Sequence, residues 1–113
     1  MSKRVFTIVV LLLSNTLFAQ STNKSDLLVY GVATRTCGEF LKAQDLNNEI
    51  YGFYVAWVQG YLSALNFHRV HGVPDLGRSR DLASLLSWLK TYCSQRPSDN
   101  FMLAVSKLES ELK

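Results

Sequence analysis

Apolar residues recur every three or four positions along four stretches of the chain, which is the spacing of one face of an α-helix. The longest stretch runs from Glu49 to about His68, and Asn47 or Asn48 before it can cap its first turn. The apolar stripe consists of Ile50, Tyr54, Trp57, Val58, Tyr61 and Leu65, and Phe53 broadens it. We therefore predict one long helix, rich in aromatic residues, in the middle of the chain.

A capping box marks the start of a shorter helix before the long one. Thr36 can accept a hydrogen bond from the backbone of Glu39, while the Glu39 side chain reaches back to Thr36. Phe40 and Leu41 then face inward, and the pattern ends around residues 43 to 45. Residues 27 to 30 are apolar, and we expect them to form an extended lead-in that packs on the core.

Two further helices are predicted towards the C-terminus. One begins at Ser79 or Asp81 and is stopped by Pro97, and the other begins at Ser98 and Asp99. The apolar face predicted for the third helix consists of Leu82, Leu85, Leu86, Leu89 and Cys93. The apolar face predicted for the fourth consists of Phe101, Met102, Val105, Leu108 and Leu112. The charged residues of the fourth helix are predicted to be solvated, and they are Lys107, Glu109, Glu111 and Lys113. No stretch alternates as a strand does. The predicted fold is all-α, a small irregular four-helix bundle, because the helices differ in length.

Small residues lie every four positions beside the apolar stripe of the long helix. Ala56, Gly60 and Ala64 would let another helix approach closely, either from the same chain or from a second copy. Gln59 and Asn66 on the same helix could form interhelical hydrogen bonds or remain exposed.

The first nineteen residues have the layout of a secretory signal peptide. Lys3 and Arg4 precede an apolar run over residues 5 to 13, and Ala19 provides a small residue for cleavage. A membrane anchor is the alternative, but the run is shorter than the roughly 20 residues that a spanning helix needs. We predict a signal peptide over residues 1–19, a tail and lead-in over 20–35, and a helical domain over 36–113.

Charge and cysteine content narrow the class of protein further. Without Lys3 and Arg4 the formal net charge falls from +3 to +1, and no basic cluster remains to indicate nucleic-acid binding. The two cysteines, Cys37 and Cys93, can pair in only one way, and an exported protein favours that pairing. Closing so long a loop removes about 4 kcal/mol of unfolded-chain entropy. Cys93, on the core side of the third helix, could meet Cys37 at the start of the first.

Candidate chemistry is sparse along the chain. His68 and His71 could be surface histidines favoured by the helix dipole, pH sensors, or ligands with Asp75 nearby. They lack a carboxylate at metal-ligand helical spacing, and both lie far from the cysteines, so we predict no metal and no cofactor. Carboxylates at predicted helix starts are further candidates for pH sensing, because helix N-termini stabilise anions. These carboxylates are Glu39, Asp81 and Asp99.

Aromatic residues are denser on the long helix than one buried face requires. They either pack in the core or form a surface for a partner, because Tyr and Trp provide large contact areas. The candidate client or partner surface consists of Tyr54, Trp57, Tyr61, Trp88 and Tyr92.

Three segments together resemble the periplasmic acid-stress chaperones HdeA and HdeB. They are Thr36-Cys37-Gly38-Glu39-Phe40-Leu41, Ala64-Leu65-Asn66, and Tyr92-Cys93 through Phe101 before an amphipathic helix. The resemblance implies a signal peptide, four helices, one disulfide and a periplasmic location. The aromatic segment from Trp57 to Tyr61 and the residue Trp88 depart from the chaperones and are more similar to uncharacterised relatives.

The resemblance implies a non-enzymatic binding protein, in the leading interpretation a chaperone that exposes apolar surface at low pH and binds unfolding clients. Its partners would be unfolded periplasmic proteins or one specific protein, and a homodimer is possible. Neither nucleic-acid binding nor stable membrane insertion after signal cleavage is expected. The second hypothesis is an immunity protein that neutralises a type VI secretion toxin, and the third is a small exported hydrolase.

Overall fold

The computed structural model describes residues 28–113, so the predicted signal peptide, the tail that follows it and the first residue of the lead-in, Leu27, lie outside the described residues. The described chain forms four α-helices and no strand, which confirms the all-α prediction for this part. The helices are α1 (Cys37–Leu46), α2 (Glu49–Phe67), α3 (Leu82–Gln95) and α4 (Phe101–Glu111). A short 3-10 helix over Gly31–Thr34, which the sequence did not predict, precedes them.

Side-chain caps fix the starts of the first three helices where the sequence placed them. The capping box of α1 is present, with Thr36 accepting from the backbone of Glu39 and Glu39 accepting from the backbone of Thr36. Asn48, rather than Asn47, caps α2. Asp81 caps α3 by accepting a hydrogen bond from the Ser84 backbone at 2.8 Å.

The start of α4 differs from the prediction by one or two residues. Asn100 is the N-cap, and its side chain accepts a hydrogen bond from the Leu103 backbone at 2.8 Å. Asp99 is not a cap, because its carboxylate instead accepts a hydrogen bond from the Tyr92 hydroxyl at 2.7 Å. The predicted capping role of Asp99 is therefore wrong, although Asp99 lies next to the N-terminus of α4, one position before the cap.

The centre of the core is a cluster of three aromatic rings. Phe40, Tyr54 and Phe101 are fully buried, with ring centroids 4.8 to 5.3 Å apart. Because Tyr54 belongs to this cluster, its assignment to the partner surface is wrong. The remaining buried residues of the cluster are Ala33, Cys37, Ala43, Val58, Leu62, Leu85, Leu89, Tyr92, Cys93, Ala104, Val105 and Leu108. Val29 of the lead-in packs against this core, as expected.

The buried face of α2 is rotated from the predicted stripe. Tyr54, Val58 and Leu62 face inward at intervals of four residues. Ile50 and Phe53, which we predicted to be buried, are 41% and 55% exposed. Because α2 is apolar nearly all round, hydrophobic periodicity does not determine which side of it packs inward.

Cys37 and Cys93 form the predicted disulfide, with 4.9 Å between their Cα atoms. The bond joins the first residue of α1 to the last turn of α3. Backbone hydrogen bonds reinforce the same junction, since the N–H groups of Cys37 and Gly38 donate to the carbonyls of Asp99 and Pro97 at 2.7 and 2.9 Å. The beginning of α1, the end of α3 and the approach to α4 therefore meet at one point.

Candidate binding site

Two stacked Trp–Tyr pairs are present, one on α2 and the other on α3, and each pair spans two adjacent turns of its own helix. The rings of Trp57 and Tyr61 are 5.3 Å apart and nearly parallel, and those of Trp88 and Tyr92 are 5.5 Å apart. In both pairs the tyrosine follows the tryptophan by four residues, which places the two rings on the same helix face.

Each of these tyrosines donates a hydrogen bond to a carboxylate associated with α4. The hydroxyl of Tyr61 lies 2.7 Å from Oε2 of Glu109, near the C-terminal end of α4. The hydroxyl of Tyr92 lies 2.7 Å from Oδ2 of Asp99, just before the helix begins. The two bonds therefore tie α4 to α2 at one end and to α3 at the other.

Burial and these carboxylates both favour the neutral form of the phenols. Burial raises the pKa of Tyr61 to about 12, and the hydrogen bond to Glu109 and its negative charge act in the same direction. Burial also raises the pKa of Tyr92, and the bond to Asp99 adds to the effect. The Arg96 guanidinium, 5.0 Å from the centre of the Tyr92 ring, opposes the rise.

Glu109 was predicted to be solvated, and this prediction is wrong. Its side chain is only 18% exposed, because it lies between the Tyr61 hydroxyl and the Lys113 ammonium group, whose nitrogen is 3.4 Å away. Tyr61 and Glu109 are 48 residues apart, so no local pattern in the sequence could have paired them.

An apolar depression, here called the N-terminal groove, lies between the lead-in, α2 and α4. One part has a volume of about 300 Å³ and the adjoining part about 750 Å³, and Leu28, Val29 and Met102 line both. The Trp57 indole N–H donates to the Tyr30 carbonyl at 2.9 Å, which fixes one wall. The other lining residues are Tyr61, Ala33, Thr34, Asn100, Leu103 and Ser106.

The structure does not bring the five candidate aromatic residues of the partner surface together. Trp57 and Tyr61 line the N-terminal groove, whereas Trp88 and Tyr92 border a separate, more polar depression that runs along α3 from Arg80 to Arg96. Sequence reasoning found the first two but missed Met102 and Leu103 as groove residues, because it assigned α4 only a core face and a solvated face.

The predicted helix-contact face of α2 is open in the described chain. Ala56, Gly60 and Ala64 are all exposed, and a methyl group added at Gly60 would meet no atom within 4 Å. No helix within residues 28–113 packs there, so the intrachain version of the prediction is wrong. Contact with a second copy remains a prediction.

The candidate pH-sensing residues lie at separate places. The backbone hydrogen bond from Thr36 lowers the pKa of Glu39, and burial opposes this change. The Thr36 hydroxyl and the Arg35 charge lower the pKa further by smaller amounts. Asp81 caps α3, and Asp99 accepts from Tyr92. His68 and His71 are both exposed after α2, where the ring of His68 meets Phe67 edge-on at 5.2 Å.

Residues 28–113 contain neither a cluster of metal-ligating side chains nor a helix that could cross a membrane. No group of three or more His, Cys, Asp and Glu side chains there is arranged to hold a metal ion. Within the same residues no helix combines the length and the apolar character needed to cross a bilayer. Comparisons with family models, curated proteins and solved structures find no match to the chain. The similarity to the acid-stress chaperones therefore remains a hypothesis from the sequence.

Proposed function

We propose that this chain is an exported, non-enzymatic binding protein whose N-terminal groove takes apolar segments of unfolding polypeptides. The observation that carries the proposal is the groove itself, which presents Leu28, Trp57 and Met102 on a scaffold closed by the disulfide. Exposed apolar surface of this kind is a feature of interaction sites. The specific role proposed is that of a periplasmic chaperone active in acid.

The contacts of α4 support the acid dependence of this role. The hydroxyls of Tyr61 and Tyr92 donate to the carboxylates of Glu109 and Asp99, and hydrogen bonds to a charged acceptor are stronger than those to a neutral one. Strong acid, which neutralises carboxylates in general, weakens bonds of this kind. Both ends of α4 are then held less firmly, and α4 forms one wall of the groove. Protonation of the acidic residues also leaves the chain strongly cationic, so self-repulsion favours opening. The disulfide limits how far the chain can expand.

Aggregation of an acid-denatured client protein, followed by light scattering from neutral to strongly acidic pH, tests the proposal. We expect the native protein to suppress aggregation only in acid and Leu103→Asp, in the groove, to lose this protection. Ser110→Asp adds the same charge at an exposed site on α4 and should protect as the native protein does. A native protein that protects no client at any pH would exclude the chaperone role.

One observation favours the second hypothesis, an immunity protein. The groove is already open in the folded chain, with its wall fixed by the bond from Trp57 to Tyr30, so a folded partner could bind without rearrangement. This role requires a tight one-to-one complex at neutral pH with a toxin encoded by a neighbouring gene, measurable by calorimetry. Such a complex, together with no protection of clients in acid, would favour the immunity protein over the chaperone.

A further inference from the structure

Most of the exposed large hydrophobic residues of the described chain lie on or beside one helix. Eight such residues are exposed within residues 28–113, and six of them fall between Leu46 and Val73. These six are Leu46, Ile50, Phe53, Phe67, Val70 and Val73. Residues 50–67 contain no Asp, Glu, Lys or Arg. We call the exposed side formed by Ile50, Phe53, Ala56, Gly60, Ala64 and Phe67 the outer face of α2.

The outer face is symmetric about Gly60. Ala56 and Ala64 lie four residues on either side of it, and Phe53 and Phe67 lie seven residues on either side. Just beyond this palindrome, Ile50 and Val70 lie ten residues on either side. Both Phe53 and Phe67 are more than half exposed. A surface with this pattern is complementary to itself when a second copy is turned by a two-fold rotation.

We infer that a second copy of this chain covers the outer face of α2, with the two helices antiparallel and the two-fold axis at Gly60. In this arrangement Phe53 of each copy packs against the partner's Phe67, and Ala56 packs against the partner's Ala64. The absence of a side chain at Gly60 lets the backbones approach closely at the crossing point. Small residues at the centre and large ones at both ends fill the space evenly.

Charge complementarity favours a second copy of the chain as the binding partner, and it favours the antiparallel orientation. Glu49 begins α2, whereas His68 and Arg69 follow its end. Antiparallel pairing places Glu49 of each copy near the partner's Arg69, and it opposes the two helix dipoles favourably. A parallel pair would place like charges together at both ends. Binding to a lipid surface or to an apolar client segment would not require the symmetry about Gly60, whereas pairing with a second copy does.

The size of the face sets the expected strength of the dimer. A helix of this length is about 28 Å long and about 10 Å across. The surface covered on each copy is therefore well below the roughly 800 Å² per partner of a standard stable interface. We expect a concentration-dependent dimer in exchange with the monomer. The inference does not rest on the proposed chaperone role, because the N-terminal groove is not part of the outer face.

Cysteine cross-linking of the disulfide-bonded protein at neutral pH tests the orientation. We expect a mixture of Ala56→Cys and Ala64→Cys proteins to form a covalent dimer on mild oxidation, because the two positions face each other across the axis. Neither variant alone should cross-link to more than the level of Ser87→Cys, an exposed control on α3. Cross-linking of each variant with itself, or none in the mixture, would overturn the antiparallel dimer.

Two glycine variants separate association from folding. Gly60→Leu and Gly52→Leu both place the same side chain in open space on α2 of the single chain. At dilutions where the native protein is monomeric, both should therefore raise the melting temperature by improving helix propensity. Sedimentation equilibrium should show that Gly60→Leu is monomeric at concentrations where the native protein and Gly52→Leu dimerise. A native protein that stays monomeric, or that occupies the outer face only on phosphatidylglycerol vesicles, would overturn the inference. Suppression of client aggregation is a separate measurement, and its result does not depend on whether the dimer forms.

Discussion

The hydroxyl of Tyr61 on α2 lies 2.7 Å from a carboxylate oxygen of Glu109 on α4, across 48 residues of sequence. The same carboxylate pairs with Lys113 at 3.4 Å. One acidic side chain therefore holds the middle of the long helix and the C-terminal end of the last helix together. Few other polar contacts join distant elements of the described chain through side chains, which makes this bond a suitable target.

Removing the Tyr61 hydroxyl should destabilise the fold without disturbing its packing. We expect Tyr61→Phe to lower the free energy of unfolding by about 1 kcal/mol, because the partly buried Glu109 loses its hydrogen-bond donor. Urea denaturation at neutral pH measures the change. Tyr30→Phe is the matched control, since Tyr30 is 72% exposed and contributes only its backbone carbonyl to a hydrogen bond. Equal losses in the two variants would contradict the assigned role.

Stability should also fall in strongly alkaline solution. Burial raises the pKa of Tyr61 from 10.0 to about 12, so the unfolded chain ionises first as the pH rises. The contribution of Tyr61 is complete below pH 10 and is lost as the pH rises through the folded value. Ultraviolet titration of tyrosine ionisation alongside circular dichroism should show a late-ionising phenol. That component should be missing from Tyr61→Phe; its persistence there would assign it to another tyrosine.

Glu39 should contribute to stability at neutral pH and stop contributing in acid. Its pKa is lowered below 4.5 by the hydrogen bond from the Thr36 backbone, so the folded chain releases this proton more readily than the unfolded chain. The contribution is present above the unfolded value and disappears as the pH falls through the lowered one. Glu39→Gln should therefore show a flatter acid limb in pH-dependent urea denaturation. Asp45→Asn, on the exposed side of α1, serves as the control.

Loss of the disulfide should be the most damaging of these changes. We expect Cys37→Ser to cost about 2–5 kcal/mol, as removal of a native bridge from a small secreted domain does. The intact mass of the native protein should be two hydrogens below that of the reduced chain, with no titratable thiol. Free thiols in native protein from an oxidising compartment would contradict the bond between Cys37 and Cys93.

Asn66 should hold the loop between α2 and α3 in place. Its side chain accepts from the Leu76 backbone N–H at 2.7 Å and donates to the Leu76 carbonyl at 3.3 Å, while the Leu76 side chain is buried. We expect Asn66→Ala to cost about 1–3 kcal/mol, because it leaves these backbone groups without partners. The Leu76 amide should then exchange its hydrogen faster. Gln59→Ala, at an exposed site on α2, should change neither quantity.

The features that the sequence predicts well depend on short-range signals. The capping box of Thr36 and Glu39 spans four residues, so pattern and structure agree there. The prediction placed the start of α4 too early, because Ser98, Asp99 and Asn100 are all residue types that can act as caps. Only the bond from Tyr92 to Asp99, a tertiary contact, leaves Asn100 as the cap.

The orientation of α2 and the position of the groove could not be predicted in the same way. Phe53 and Tyr54 are neighbours of similar apolar character, yet one is 55% exposed and the other is fully buried. The choice is made by Phe40 and Phe101, whose rings pack on Tyr54 from α1 and α4. Likewise, the groove forms where Val29 of the lead-in and Met102 of α4 line one depression, and no local pattern encodes that approach.

The junction where α1 begins has a consequence for the order in which the chain acquires its structure. The N–H groups of Cys37 and Gly38 are satisfied by carbonyls of Asp99 and Pro97, and the N–H of Phe101 donates to Arg35. These partners are about sixty positions apart, so they form late relative to the local turns of α2 and α3. The junction can therefore close only when nearly the whole chain is available, although the local capping box of α1 can form earlier. A chain cut short before Asn100 should therefore retain helical turns but fail to close.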